Sequence, residues 1–476
     1  MSGQIRFSYE GALFEPNGLN KDELQKLAPA LEQVRKEILT SDIELLTNPQ
    51  EIPPNKQPLD GAFLELPQKL LLEYQTLKEK SEIRQILAVA ERLQNEVDAV
   101  VILGIGGSYM GAKTLFDAFL SPYHNELSRA ERNGIPRIYF EGNNLDNDSA
   151  SALLDRLGND FSEGSPEKKW AVVVVSKSGG TLETAVAFRK FLSTLKKSCG
   201  QNRRLLSRLI VPVTGKSGKL YDLATSIRCE DKFEVPEGVG GRFSIFSAVG
   251  LLPAAVMGID ILSFLLGAVS TNEHFYSEKE LDNQVLQYVA VQILCEQKNN
   301  QKIRVLSIWN KSLESFGFWY DQLLSESLGK DEQGATPLTV VNTRDLHSRA
   351  QQHQEGRRDK VITNLIIQKP QEGPLVVGDL SSNEDQLDEI SGLTYPQLMQ
   401  AAILGTNQAY RDDNRPTLDI TLPEVSPAFL GQLFQYFMLT TVVEGRVLGL
   451  NPYGQPGVEK YKELMKKFLK RSNLTD

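Results

Sequence analysis

The chain has 476 residues, 41% hydrophobic and 24% charged, and a net charge of −9. That length allows two or three cores, and the acidic balance argues against nucleic acid as a partner, because a phosphate backbone rewards basic patches. Three scattered cysteines, no basic-then-apolar leader and no apolar run of membrane length exclude a disulfide framework and a membrane span, so a cytoplasmic protein is expected.

In chain order, Asn20 and Glu23 have the spacing of a capping box. Leu24, Leu27, Leu31, Val34 and Ile38 follow at helical spacing, with a break expected at Pro29. The proline-bearing stretch 41–66 reads as an extended crossing segment, and 67–95 as one long amphipathic helix. Strands are predicted near 99–104, 137–141, 171–175 and 208–213, with helices between them. A glycine-rich turn at 238–244 and helical text at 247–269 and 279–298 follow. A second alternating unit has strands near 305–309, 338–341 and 362–367, and helices near 427–443 and 456–470 close the chain. Helices alternating with apolar strands specify an α/β class. The expected layout is two α/β sandwich domains with parallel-rich sheets flanked by helices. The segments are 1–66 (helical and extended), 67–278 (first α/β domain), 279–445 (second α/β domain) and 446–476 (helical tail).

Two strand–loop–helix junctions carry the functional signal. Ala171 to Val175 is an apolar run, four of its five residues β-branched, that reads as a strand buried on both faces. It changes at once to Ser176-Lys-Ser-Gly-Gly-Thr181 and then to a helical pattern. Free backbone N–H groups, the helix dipole and small hydroxyl side chains make such a loop a phosphate cradle. The alternative is an ordinary βα loop with an N-cap. A second loop of the same kind, Gly104-Ile-Gly-Gly-Ser108 after Ala99–Leu103, counts against that alternative. Two such loops converge at the carboxyl edge of one parallel sheet, where α/β proteins bind ligands. Tyr109 stands where a dinucleotide fingerprint needs its last glycine, which disfavours a dehydrogenase, and no Gly-Lys-Ser/Thr closes either loop.

Further on, the helix from about Leu313 to Leu328 places Gln322 and Glu326 one turn apart on one face. A carboxylate near the end of such a helix suits a general base; the alternative is a solvated Glu326 paired with Lys330. Gly240-Gly241-Arg242 sets a guanidinium fork beside two glycines, where it can reach an oxyanion, or else is a surface arginine in a turn. Of four histidines, His124 and His274 sit in polar, loop-like text and are expected to be solvated. His347 and His353 follow a strand, and either suits acid–base work. In the last helix Val458, Tyr461, Met465 and Phe468 form an apolar stripe expected to be buried, with Lys462 at its edge as a functional group or a snorkelling lysine.

Taken together and in order, these motifs resemble the phosphoglucose isomerase family over nearly the whole chain. They are Gly104–Ser108, Ser176–Thr181 with Glu183-Thr184, Gly240–Ser244, Gln322–Lys330, the His347 segment and Gln455–Lys462. The resemblance implies sugar-isomerase-like sandwich domains and the reversible aldose–ketose conversion of glucose 6-phosphate and fructose 6-phosphate in glycolysis and gluconeogenesis. It implies no cofactor and no metal, and a homodimer with the active site at the subunit interface. By the same resemblance, Ser176, Ser178, Thr181 and the Lys177 backbone would hold the phosphate, and Gly107, Ser108 and Gly241 would line the sugar site. Glu326 would move the proton between C2 and C1 through a cis-enediol, with Arg242 stabilising the enediolate. His347 and Lys462 would open the ring, supported by Gln322 and Gln455. Counting from Glu326 in the bacterial pattern selects His347; the other branch's position falls on Gln354, beside His353. Gly180 stands where many relatives carry a hydroxyl, which would remove one phosphate hydrogen bond. A mannose 6-phosphate isomerase would use the same base and cradle. A sugar-phosphate-binding regulator is the reading from another class, and the intact Glu326, Arg242 and Lys462 argue against it.

Overall fold

The computed structural model describes residues 3–15, 18–159, 161, 165–380 and 382–471. Residues 1–2 and 472–476, at the ends of the expected first and last segments, lie outside them. Two five-stranded sheets organise the chain, each flanked by helices.

The strands are β1 (Arg6–Ser8), β2 (Ala99–Leu103), β3 (Arg137–Glu141), β4 (Trp170–Val175), β5 (Ile210–Thr214), β6 (Phe233–Glu234), β7 (Ile303–Ile308), β8 (Thr336–Val341), β9 (Lys360–Lys369) and β10 (Thr417–Glu424). The first sheet runs β3-β2-β4-β5-β6, all parallel. Its central strands β2 and β4 are buried at every residue, as an apolar run covered by helices on both faces must be. The second sheet runs β1-β10-β9-β7-β8, parallel except for the antiparallel edge strand β1. The parallel sandwich reading therefore holds. The sequence reading passed over β10, although Leu418, Ile420 and Leu422 alternate with polar residues and are fully buried. It also passed over β1 and β6, which are too short to show a period.

Asn20 does cap the first helix, Lys21–Glu37: its Oδ1 accepts from Glu23 N at 2.8 Å, and Glu23 Oε2 accepts from Asn20 N at 3.1 Å. The break expected at Pro29 is absent, and the helix runs through it. Burial of Leu24, Ala28 and Leu31 against the Gln284–Asn299 helix outweighs the one lost hydrogen bond. The helix expected over 67–95 is two helices, Leu66–Thr76 and Glu82–Glu96. Lys78 adopts φ +49° between them, and the Ser81 hydroxyl caps the second.

Helices join the two sheets. Glu314–Leu328 packs against both Met110–Phe119, which follows β2, and strand β8. Pro427–Val447, buried along most of its length, crosses Ile261–Ser277 at paired glycines. A Cβ on Gly267 would lie 1.9 Å from Ala428 O, and one on Gly431 would lie 2.0 Å from Phe264 O. No described helix is long and apolar enough to cross a membrane.

Candidate active site

The loop from Ser176 to Thr181 leaves the carboxyl end of β4 and opens the Leu182–Cys199 helix. Ser176 Oγ accepts from Gly179 N, and Ser178 Oγ accepts from Gly180 N, each at 3.1 Å. Gly179 turns at φ +65°, and a Cβ there would meet Leu220 N at 2.3 Å, so only glycine fits. Thr181 occupies the N-cap position without its side chain capping the helix, which leaves its hydroxyl for a ligand. Lys177 Nζ donates to Val239 O at 3.3 Å and ties the cradle to the Gly240 turn.

The second loop touches that turn from the other side. A Cβ on Gly107 would lie 2.1 Å from Gly241 O, and one on Gly106, at φ +56°, would lie 2.8 Å from the Gln322 amide. Ser108 ends the same short turn. Gly107, Ser108, Gly241 and Gln322 thus gather at one place, with backbones closer than any side chain would allow.

Glu326 and Arg242 form the centre. Arg242 is 3% exposed, whereas the Glu326 side chain is 30% exposed. Arg242 Nη1 donates to Glu326 Oε2 at 3.1 Å, and Gln322 Nε2 donates to Glu326 Oε1 at 3.1 Å. Each carboxylate oxygen therefore has a donor. Nη1 of Arg242 also donates to Gln455 Oε1 at 3.2 Å, Nε donates to Ser327 Oγ at 2.7 Å, and Nη2 donates to Pro452 O and Gly454 O. Trp319 Nε1 in turn donates to Arg242 O. Burial pushes the guanidinium downward against the pull of Glu326, but an arginine remains charged. The surface-arginine alternative fails on this burial.

Lys330 is not the partner of Glu326. Its Nζ donates to Asn451 O at 2.5 Å and Tyr453 O at 2.7 Å, bracing the turn that supplies the carbonyls for Arg242. Burial, helped by the Arg242 charge, lowers Lys330 to about 8. Ser327 and Lys330 are site residues that the sequence reading did not assign; their neighbour Glu326 was the available signal.

The remaining candidates stand apart from this cluster. His347 lies exposed at the end of a short turn after β8. His353 is buried, and burial with the nearby Lys360, Arg349 and Arg415 pushes its imidazole down to about 4. Gln354 donates to Ala409 O at 2.8 Å. Lys462 pairs with Glu459 at 2.8 Å in the first turn of the last helix. The stripe expected to be buried there is only partly covered: Val458 and Met465 are half-buried, whereas Tyr461 is 52% and Phe468 67% exposed. Two histidines also correct expectation. His124 is buried, with Nε2 3.0 Å from Pro136 O, and His274 lies within the Ile261–Ser277 helix, accepting from Gln284 N. No group of three or more His, Cys, Asp or Glu side chains among the described residues has the arrangement of a metal site.

A family model described as phosphoglucose isomerase matches residues 78–346 and 339–475. A glucose-6-phosphate isomerase of Acetivibrio thermocellus is 37% identical over 388 residues, 81% of this chain and 84% of the relative. One from Caldanaerobacter subterraneus subsp. tengcongensis is 35% identical over 387 residues, 81% of this chain and 83% of the relative. Among solved structures, a hypothetical protein of Thermus thermophilus superposes with a TM-score of 0.80 at 27% identity, covering 98% of this chain and 100% of that one. A glucose-6-phosphate isomerase of Chlamydia trachomatis shares the fold, with a TM-score of 0.75 at 21% identity over 98% of this chain and 88% of that one.

Proposed function

The chain belongs to the phosphoglucose isomerase family, and we propose the following division of labour for its reversible interconversion of glucose 6-phosphate and fructose 6-phosphate. It is an aldose–ketose isomerase of the glycolytic type. The single observation that carries the site assignment is the Glu326 carboxylate, held by Gln322 and Arg242 beside the close-packed Gly106–Gly107 and Gly240–Gly241 turns.

Ser176, Ser178, Thr181 and the Lys177 backbone bind the phosphate at the N-terminus of the Leu182–Cys199 helix. The sugar lies along Gly107, Ser108 and Gly241. Glu326 removes the proton from C2 of the opened aldose and returns it to C1, and the reverse step uses the same carboxylate. The two donors on Glu326 orient it without protonating it. Negative charge gathers on the C1 and C2 oxygens as the cis-enediolate forms. Arg242, fixed by the side chains of Ser327, Glu326 and Gln455 and by two carbonyls, and shielded from water, neutralises it without having to reorganise. Gln455, which shares Nη1 of Arg242, helps to place those oxygens. His347 and Lys462 pass the ring-opening proton between the ring oxygen and the C1 hydroxyl.

The protein works as a homodimer in the cytoplasm, with His347 of the partner subunit completing each site. The exposure of His347 supports this reading, as do Leu375, Val376, Tyr395 and Leu404, each at least 59% exposed. The exposed pair of Lys462 with Glu459 is weak enough to be exchanged for the substrate.

Conversion of fructose 6-phosphate to glucose 6-phosphate, read through a coupled dehydrogenase, tests the assignment, with Glu326→Gln protein as the blank. Turnover that survives in the blank sinks Glu326 as the base. Mixing inactive Glu326→Gln with the slowed His347→Ala, assayed on closed-ring substrate, tests the shared site. Random exchange of subunits leaves one intact site in half of the dimers, so about a quarter of the activity returns. No return separates the two residues into one subunit.

A further inference from the structure

The stretch before Ala62 does more than cross between domains. Gly61 bridges Val239 in antiparallel fashion, and Ala62 N donates to Gly238 O at 2.9 Å. Asn451 Nδ2 donates to Pro58 O at 3.1 Å, and the Pro58 ring lies against Gly454. The segment 58–62 is therefore strapped to both turns that hold Arg242, and it carries one charged side chain, Asp60.

The Asp60 carboxylate lies over the α-carbon of Gly240, where a Cβ would come within 3.0 Å of Oδ2. It is half-buried, and no described residue donates a hydrogen bond to it. Burial raises it, and the two charges that oppose burial are Lys177 and Arg242. Those are the cation of the phosphate cradle and the cation at Glu326. A lone carboxylate facing two cations in an anion-binding pocket has an electrostatic consequence. Without it, Lys177, Arg242 and the neighbouring Lys330 face only the single charge of Glu326. With it, the positive excess of the empty pocket is reduced, and a sugar phosphate carrying nearly two charges meets a weaker field.

We propose that Asp60 is a positioning residue that sets the charge of the substrate pocket. It lowers the positive potential around Lys177 and Arg242 between turnovers and limits how tightly the cradle grips a phosphate. The glycine at 240 is the complement of this role, since any side chain there would displace the carboxylate. The inference rests on the site assignment above.

The test compares Asp60→Asn, Asp60→Glu and the wild-type protein, using inorganic phosphate as a competitor of fructose 6-phosphate. Asp60→Asn keeps the shape and removes the charge. Its phosphate inhibition constant is expected to fall severalfold, KM to fall with it and kcat to drop, and the tightening to shrink at high salt. Asp60→Glu restores the charge and is expected to bring all three constants back toward wild type. A purely structural role would instead raise KM and lower the melting temperature in both variants, and that result overturns the proposal. Competition of unchanged strength in Asp60→Asn overturns the role of Asp60 alone. Wild-type turnover that phosphate does not compete overturns the cradle assignment, and the role falls with it.

Discussion

Glu326 and Lys462, proposed to serve one reaction, are treated by the chain in opposite ways. Glu326 sits near the end of a helix wedged between the two sheets, its carboxylate held by Gln322 and by a buried Arg242. Lys462 sits on a helix whose apolar face is partly exposed, with no hold on it beyond Glu459 among the described residues. His347 shares that openness. The proposed proton-shuttle half of the pocket is thus assembled within one chain. The proposed ring-opening half would be completed by substrate or by a second subunit. Preorganisation is strongest where charge develops, because a donor that had to reorganise would stabilise the enediolate less.

Four substitutions break or sharpen this contrast. The largest effect is expected of Glu326→Gln, which keeps the shape and removes the base. Turnover should fall by about 10³-fold or more, while sugar phosphate still binds, as titration calorimetry would register. Near-normal activity would dissolve the carboxylate half altogether. Arg242→Ala comes next, with a loss of about 10²–10³ in kcat and a smaller rise in KM. It also leaves the Pro452 and Gly454 carbonyls without their donor, so a lower melting temperature should accompany it. A pure KM effect would make Arg242 a phosphate ligand instead.

His347→Ala probes the open half. The rate should drop by roughly tenfold on closed-ring substrate and much less on an open-chain analogue, since only ring opening needs that proton. Equal losses would move ring opening elsewhere. His353→Leu is the control with the smallest effect on rate. Its imidazole is held at about 4 in the fold, below its ordinary 6.5, so unfolding takes up a proton between those values. The stability it contributes is complete above pH 6.5 and is lost as pH falls toward 4, by up to about 3 kcal/mol. The Leu variant should lose less of its melting temperature across that window than the wild type, with turnover unchanged at neutral pH. A fall in closed-ring turnover alone would hand the ring-opening role to this second histidine.

Much of the design is legible in the residues themselves. The unbroken valines of β4 and the apolar run of β2 announce central parallel strands, because such a run buries successive side chains on two opposite faces. The small residues that follow each strand announce the two loops, since only they allow backbones as close as Gly107 and Gly241. Local period failed where tertiary packing overrode it. Pro29 is carried through a helix by its buried face, and Tyr461 and Phe468 keep helical period yet stay more than half exposed.

Sequence alone therefore determined the α/β class and the small-residue loop that suits a phosphate, because each depends on local pattern, while Glu326 became the candidate base through the order of several motifs along the chain. Only the tertiary structure decided that Arg242 is buried, that Lys330 braces the 451–454 turn rather than pairing with Glu326, and that Asp60 lies against Gly240 beside Arg242. Those pairings join residues from distant parts of the chain. Their energies come from burial and from geometry across loops, and no local pattern records either one.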